Sequence, residues 1–162
     1  MKTFKEHINT EQNTIINFVE SQENIEIDDI LNDSYSTHDF TFISGNTHTP
    51  FKIHGICEAK TRTITDNYYK GGVLLELNKF NNVISTVAYE RSKQERINDN
   101  IKGFYLIKYT NVTYLFDLEK IDLGKIQVVL CPKSSSSDGN NEYHFKPVLY
   151  LNPADAIVTI NN

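Results

Sequence analysis

The stretch THDFTFISGNTHTPFKIHGICEAKTR, residues 37–62, decides the fold of this chain. Polar and apolar residues alternate over 38–44 and again over 51–61, which is the period-two pattern of a strand. The segment between them, SGNTHTP at 44–50, has the Ser, Gly, Asn and Pro content of a turn. We therefore predict an antiparallel β-hairpin in which 38–44 pairs with 51–60.

Helical patterns lie on either side of this hairpin. Residues 9–22 predict a first helix with Ile15, Phe18 and Val19 on one face, and residues 72–92 predict a second helix. The apolar stripe of the second helix is expected to comprise Val73, Leu74, Leu77, Phe80, Ile84, Val87 and Ala88. Segment 24–34 fits a strand or a short helix equally well.

The remaining chain has mostly strand composition. The pattern predicts strands at 103–110, 112–119, 125–132 and 145–151. Residues 152–160 predict a turn and a last short element, and the Ser- and Asn-rich residues 133–141 predict a mobile loop. This order of elements predicts a single α/β (α+β) domain over 1–162, with a central mixed sheet flanked by helices.

Composition limits the classes to which the chain can belong. The 162 residues have globular apolar and charged fractions of 39% and 23%. The sequence contains neither an apolar run of about 20 residues nor the apolar stretch of a secretory signal. Cys57 and Cys131 both lie in apolar strand-like runs and are expected to be reduced core thiols. We expect a cytoplasmic protein that does not associate with membranes.

Period two divides the side chains of residues 51–60 between two faces. Phe51, Ile53 and Cys57 belong to a small or apolar face, which we expect the second helix to cover. Glu58 and Lys60 stand on the opposite face, which we take to lie outside the core. With the hairpin turn near 47–50, Asp39 of the first strand comes level with Glu58. Two carboxylates and a lysine are thus expected within a few ångströms.

These residue types suit metal-assisted phosphodiester cleavage. Two hard oxygen ligands, Asp39 and Glu58, can bind Mg²⁺ or Mn²⁺ and leave water positions open for a phosphate and a nucleophile. A bound metal lowers the pKa of water and neutralises charge on the scissile phosphate. Lys60 could orient or deprotonate the attacking water or stabilise the developing charge.

The same layout resembles the PD-(D/E)xK nucleases. The matching residues are Asp39 in THDFTFI, with Glu58 and Lys60 in GICEAKTR; His38 stands where a Pro often precedes the Asp. The resemblance covers about 10–118, and the segment of about 119–162 matches nothing in that family. It implies a restriction-endonuclease-like core with extra C-terminal strands. It also implies a divalent metal at the Asp39 and Glu58 carboxylates, and a catalytic role for Lys60.

The resemblance further implies a polar accessory residue on the first helix, for which Glu11, Gln12 and Glu20 are candidates that spacing does not separate. Glu76 and Lys79 on the second helix could line the site, or could form an ordinary helical ion pair.

Two further groups of residues each have a functional and a purely structural interpretation. Arg62 and Lys70 could contact backbone phosphates, or could be ordinary polar residues of a loop and a helix. The aromatic residues of the paired strands could stack on bases, but are more often packing residues. These are Phe104, Tyr105, Tyr109, Tyr114 and Phe116.

Two functions follow as hypotheses. The first is a Mg²⁺- or Mn²⁺-dependent nuclease that cleaves nucleic acid, with DNA favoured, and that would suit a phage, a mobile element or a defence system. The second is a catalytically degenerate protein of the same fold that acts as a binding or assembly module. The formal charge of −5 weighs against binding nucleic acid by bulk electrostatics, although a local basic face could still exist. Either protein could be a homodimer.

Overall fold

A computed structural model describes residues 4–31, 36–45, 52–93, 100–132 and 143–162. The helices are α1 (Phe4–Glu20) and α2 (Leu77–Ser92). The strands are β1 (Ile25–Ile30), β2 (Phe40–Ser44), β3 (Ile53–Thr61), β4 (Val73–Glu76), β5 (Asn100–Lys108), β6 (Val112–Asp117), β7 (Ile126–Pro132), β8 (Tyr143–Leu151) and β9 (Val158–Asn161). Segment 24–34, which fitted a strand or a short helix equally well, therefore contains the strand β1.

A mixed six-stranded sheet forms the centre of the molecule, with strand order β1-β2-β3-β5-β6-β9. Its pairs are antiparallel except for β3 and β5, which run parallel and are joined through β4 and α2. A parallel pair needs such a crossover connection because its strands begin at the same edge of the sheet. The predicted mixed sheet flanked by helices and the predicted hairpin are both confirmed.

Each face of the central sheet is covered by one helix. On the first face, Ile15, Phe18 and Val19 of α1 pack with Cys57, Ala59 and the aromatic residues of β2, as the apolar stripe of α1 predicts. On the second face, Phe80, Val83 and Val87 of α2 pack with Ile56 of β3 and with side chains of β5 and β6. Burial on both faces is the usual environment of a strand in a parallel pair.

Two expectations about these faces were wrong. The second helix does not cover the Cys57 face, because that face packs against α1. The Glu58 face is not outside the core either, since Ile56 and Glu58 are both buried beneath α2. The alternation of polar residues in β3 reflects a buried polar site rather than a solvated face.

The second helix also begins later than predicted. Residues 73–76 form β4, which pairs with β8 in a three-stranded sheet of order β4-β8-β7. The apolar run Val-Leu-Leu fits a buried strand as well as a helix, so periodicity alone could not separate them. Gly72 precedes the strand with φ of 112°, a conformation that a non-glycine residue rarely adopts. Of the predicted stripe, Val73 and Leu74 are therefore strand residues, and Ala88 is exposed.

The C-terminal strands belong to both sheets. β7 and β8 join β4, whereas β9 pairs with β6 at the edge of the central sheet. The aromatic residues from Phe104 to Phe116 are buried in the two cores, which supports packing rather than base stacking. The predicted mobile loop at 133–141 lies outside the described residues. Both cysteines are free thiols, as expected, but the expected core position holds for Cys57 alone, since Cys131 of β7 is half-buried and lies outside the core.

None of the helices in the described ranges is long and apolar enough to cross a membrane.

Candidate functional site

The register of the hairpin brings Asp39 opposite Glu58. Phe40, the first residue of β2, pairs with Cys57, so Asp39 lies one position beyond the paired residues and close to Glu58, whose pKa its charge raises. The backbone N–H of Asp39 donates a hydrogen bond to the Cys57 carbonyl at 3.0 Å. The Asp39 carboxylate accepts one from the backbone N–H of Ala59 at 2.7 Å, which fixes it against β3. The expected alignment of Asp39 with Glu58 is present in the structure.

Glu58 is a buried carboxylate with one bound partner. Its side chain lies beneath α2, where Oε1 receives the Lys79 ammonium at 2.7 Å. Its other oxygen, Oε2, is buried and accepts no hydrogen bond from the part of the chain that the structure describes. Burial raises the pKa of Glu58 to about 7, and the negative charge of Asp39 adds to the rise, while Lys79 and Lys60 oppose it. An unsatisfied carboxylate oxygen in such an environment is costly unless a cation or proton occupies it.

Asp39 shares this electrostatic environment. Its pKa is raised, mainly by burial and in part by the negative charge of Glu11, while the Ala59 hydrogen bond, Lys79 and Lys60 lower it. Burial alone would lower the pKa of Lys79, but its ion pair with Glu58 and its attraction to Asp39 raise the pKa overall. The groups therefore titrate as one cluster rather than as independent side chains.

Lys60 completes the cluster from the end of β3. Its Nζ lies 2.8 Å from Oε1 of Glu11 on α1. The hydroxyls of Thr14 on α1 and Thr61 on β3 are 2.9 Å apart, and this contact holds the middle of α1 against the strand end. We call Glu11, Asp39, Glu58, Lys60 and Lys79 the acidic–lysine cluster. Its formal charge is −1 when every member is ionised.

The structure also places the other candidate residues. Of the possible accessory residues, Lys79 belongs to the cluster. Glu76 instead pairs with Lys146 of β8 at 3.1 Å, so the helical ion pair between Glu76 and Lys79 does not form. Glu20 is exposed at the end of α1, and Gln12 is half-buried beside Glu11. The residue of α1 that contacts Lys60 is Glu11, a choice that spacing had left open.

The two candidate phosphate contacts lie in different surroundings. Arg62 follows β3 and is half-buried, with its guanidinium 5.8 Å from the centre of the Tyr69 ring. Its Nε is buried and makes no hydrogen bond. Lys70 is exposed and borders a groove that also includes Tyr150 and Asn152. Arg62 is thus the better placed of the two to act with β3, since it directly follows the last residue of that strand and is two residues from Lys60.

The described residues could hold a divalent cation at this site through two carboxylates, those of Asp39 and Glu58. Among the described residues, no group of three or more His, Cys, Asp or Glu side chains is arranged to hold a metal ion. Asp39 and Glu58 nevertheless lie close enough for their charges to interact, and Oε2 of Glu58 accepts no hydrogen bond from any residue that the structure describes. Mg²⁺ commonly binds through one or two carboxylates and keeps several waters. The residues present are compatible with that mode of binding.

Comparisons of the chain with protein-family models, curated proteins and solved structures found no match. The site is therefore interpreted from its own geometry and chemistry.

Proposed function

We propose that the chain is a Mg²⁺- or Mn²⁺-dependent nuclease that hydrolyses phosphodiester bonds, with DNA as the favoured substrate. The observation that carries the proposal is that Asp39 lies close enough to Glu58 to raise its pKa, while Oε2 of Glu58 is buried and accepts no hydrogen bond from the described residues. A cation between the two carboxylates would remove their mutual repulsion and satisfy that oxygen. When bound, the metal would supply Lewis-acid activation of water and neutralise charge on the scissile phosphate.

Lys60 would hold the attacking water. Its ammonium lies at the end of β3, paired with Glu11 and close enough to lower the pKa values of Glu58 and Asp39, which burial raises. An ammonium group so placed can orient a water molecule or stabilise charge that develops on the phosphate. Glu11 would fix the position of Lys60 through their ion pair of 2.8 Å. Arg62, directly after the last residue of β3, would neutralise a neighbouring phosphate.

The order of elements supports the same proposal. α1, the antiparallel strands β1 to β3, α2 and the parallel strand β5 follow one another as in a restriction-endonuclease-like core. In this chain β4 is inserted before α2. The restriction-endonuclease-like identity of this core is part of the proposal, as is the cytoplasmic location expected from composition.

A binding or assembly role is the second candidate, and the ion pairs favour it. Lys79 and Lys60 already neutralise Glu58 and Glu11 at 2.7 and 2.8 Å, so the cluster is satisfied in part without any cation. The net charge of −5 also opposes close approach of a polyanion. A protein that has lost catalysis would keep this polar cluster as a structural feature.

Cleavage assays separate the two candidates. Purified protein is incubated with mixed DNA and RNA substrates in Mg²⁺ or Mn²⁺, beside the variants Glu58→Gln and Lys60→Met. The matched control is Lys125→Met, which removes an exposed lysine outside the cluster. We expect both cluster variants to lose at least about 100-fold in rate, a typical contribution of one catalytic group, and the control to cut as wild type does. Equal cutting by all four proteins would mean that the activity comes from elsewhere.

A further inference from the structure

The hairpin of β7 and β8 carries an apolar face that begins in the core and continues into solvent. At its base, Ile126 pairs with Leu149, which is fully buried. Further out, Leu130 pairs with Phe145, and directly opposed residues of an antiparallel pair share one face. We call this the apolar hairpin face. Its exposed members are Ile126, Val128, Leu130, Tyr143, Phe145 and Pro147.

Several members of the apolar hairpin face are largely exposed to solvent. Phe145 is 74% exposed, Val128 66% and Leu130 57%. Large aromatic and aliphatic side chains at these fractions present roughly 500 Å² of contiguous apolar surface, which is within the range of a functional contact surface. Among the described residues of β7 and β8, this face has no charged member. By contrast, the opposite face carries Lys146, paired with Glu76, and His144.

We propose that the apolar hairpin face binds a second copy of the same chain, so that the protein is a two-fold symmetric dimer. A stable interface buries about 800 Å² on each partner, and this face supplies well over half of that area. Two copies placed face to face about a two-fold axis would set Phe145, near the middle of the face, at the contact as an aromatic anchor, with Tyr143 at its outer end. Stacked sheets pack in this manner at about 10 Å.

The lack of Lys and Arg in the described part of the apolar hairpin face favours a second copy of the chain over nucleic acid as its binding partner. Phosphate groups are bound by Lys and Arg, and the described part of this face has neither. Two acidic chains repel one another through their overall charge of −5, but the uncharged face brings no like charges together at the contact. The inference stands apart from the proposed nuclease activity, since none of the cluster residues belongs to this face.

Sedimentation velocity of the full chain measures the oligomeric state directly. At about 50 µM, well above the Kd of an ordinary dimer, we expect a mass of about 37 kDa, twice the 18.6 kDa of one chain. The double variant Leu130→Lys with Phe145→Lys places like charges across the two-fold axis. It should weaken self-association by at least about 100-fold and sediment as a monomer. The matched control, Gln127→Lys, adds a charge at an exposed position on the opposite face of β7 and should remain a dimer.

Three results would overturn the inference: a monomeric wild type, a double variant that stays dimeric, or a Gln127→Lys control that dissociates equally. Circular dichroism establishes that each variant is folded. If the double variant is unfolded, the single variant Phe145→Ser decides the outcome, because that side chain is mostly exposed and contributes little to the core. Monomeric wild-type protein that binds lipid vesicles or DNA through this face would also reject the dimer.

Discussion

Glu58 connects the stability of the chain to pH. It is 4% exposed, and burial raises its pKa to about 7 from an ordinary 4.5, with Asp39 adding to the effect. A buried carboxyl that binds its proton more tightly in the folded state stabilises the fold at low pH. That contribution is lost as the pH rises through the folded pKa. In metal-free protein, the free energy of unfolding should therefore fall between about pH 4.5 and pH 7.

The isosteric variant Glu58→Gln tests this pH dependence. It removes the titrating group while keeping the side-chain volume, so the decline assigned to Glu58, on the order of 3 kcal/mol, should be absent. Urea denaturation at several pH values in chelator measures the difference. If the free energy of unfolding changes with pH in the same way for wild type and Glu58→Gln, then Glu58 does not bind its proton more tightly in the folded protein.

Single residues of the site were predictable where the strand period determined them. Asp39 came level with Glu58 because the hairpin turn and the alternation of side chains fix the register. Glu11 was one of three equal candidates on α1, because the contact with Lys60 depends on how α1 crosses the strand end. The burial of Glu58 could not be predicted either, since it depends on α2 covering that face of β3.

At the scale of elements, β3 is the strand on which both cores depend. Gly55 lies in its middle, paired with Phe42 of β2, and the Phe42 ring occupies the space that a Cβ at this position would need. Phe42 itself is fully buried between α1 and the sheet and cannot move aside. The close contact between β2 and β3 therefore requires glycine here.

Gly55→Ala should destabilise the chain by about 1–3 kcal/mol, the usual cost of overpacking a core. The matched control is Gly45→Ala just after β2, where the nearest described atoms to an added Cβ are the flexible side chain and backbone of exposed Lys52, at 3.2 Å or more. Thermal melts followed by circular dichroism compare the two. Equal melting temperatures for both variants would mean that the Phe42 ring shifts without cost.

Element types were predictable from periodicity, whereas some boundaries were not. The hairpin, α1 and strands β5 to β8 follow from alternation or helical spacing in the sequence. β4 was assigned to the second helix because three consecutive apolar residues carry no period. Its strand conformation comes from pairing with β8, which lies more than 70 residues away in the chain. Such tertiary pairing overrides local pattern.

At the scale of the whole molecule, the central sheet explains why the cluster forms where it does. α1 and α2 cover opposite faces and each contributes one residue, Glu11 or Lys79, to the cluster. Asp39 and Glu58 come from adjacent strands of the sheet between them. A two-carboxylate site assembled from four elements exists only in the folded chain, so any cation bound there must also stabilise the fold.

Mn²⁺ titration followed by electron paramagnetic resonance tests the central claim most directly, because the signal of free Mn²⁺ falls as the ion binds. We predict one Mn²⁺ per wild-type chain, with affinity rising as the pH increases through about 7 and Glu58 loses its proton. Glu58→Gln should lose this binding, whereas Lys125→Met should keep it. Wild-type protein that leaves the Mn²⁺ signal unchanged, or a Glu58→Gln variant that binds as tightly as wild type, would contradict the account.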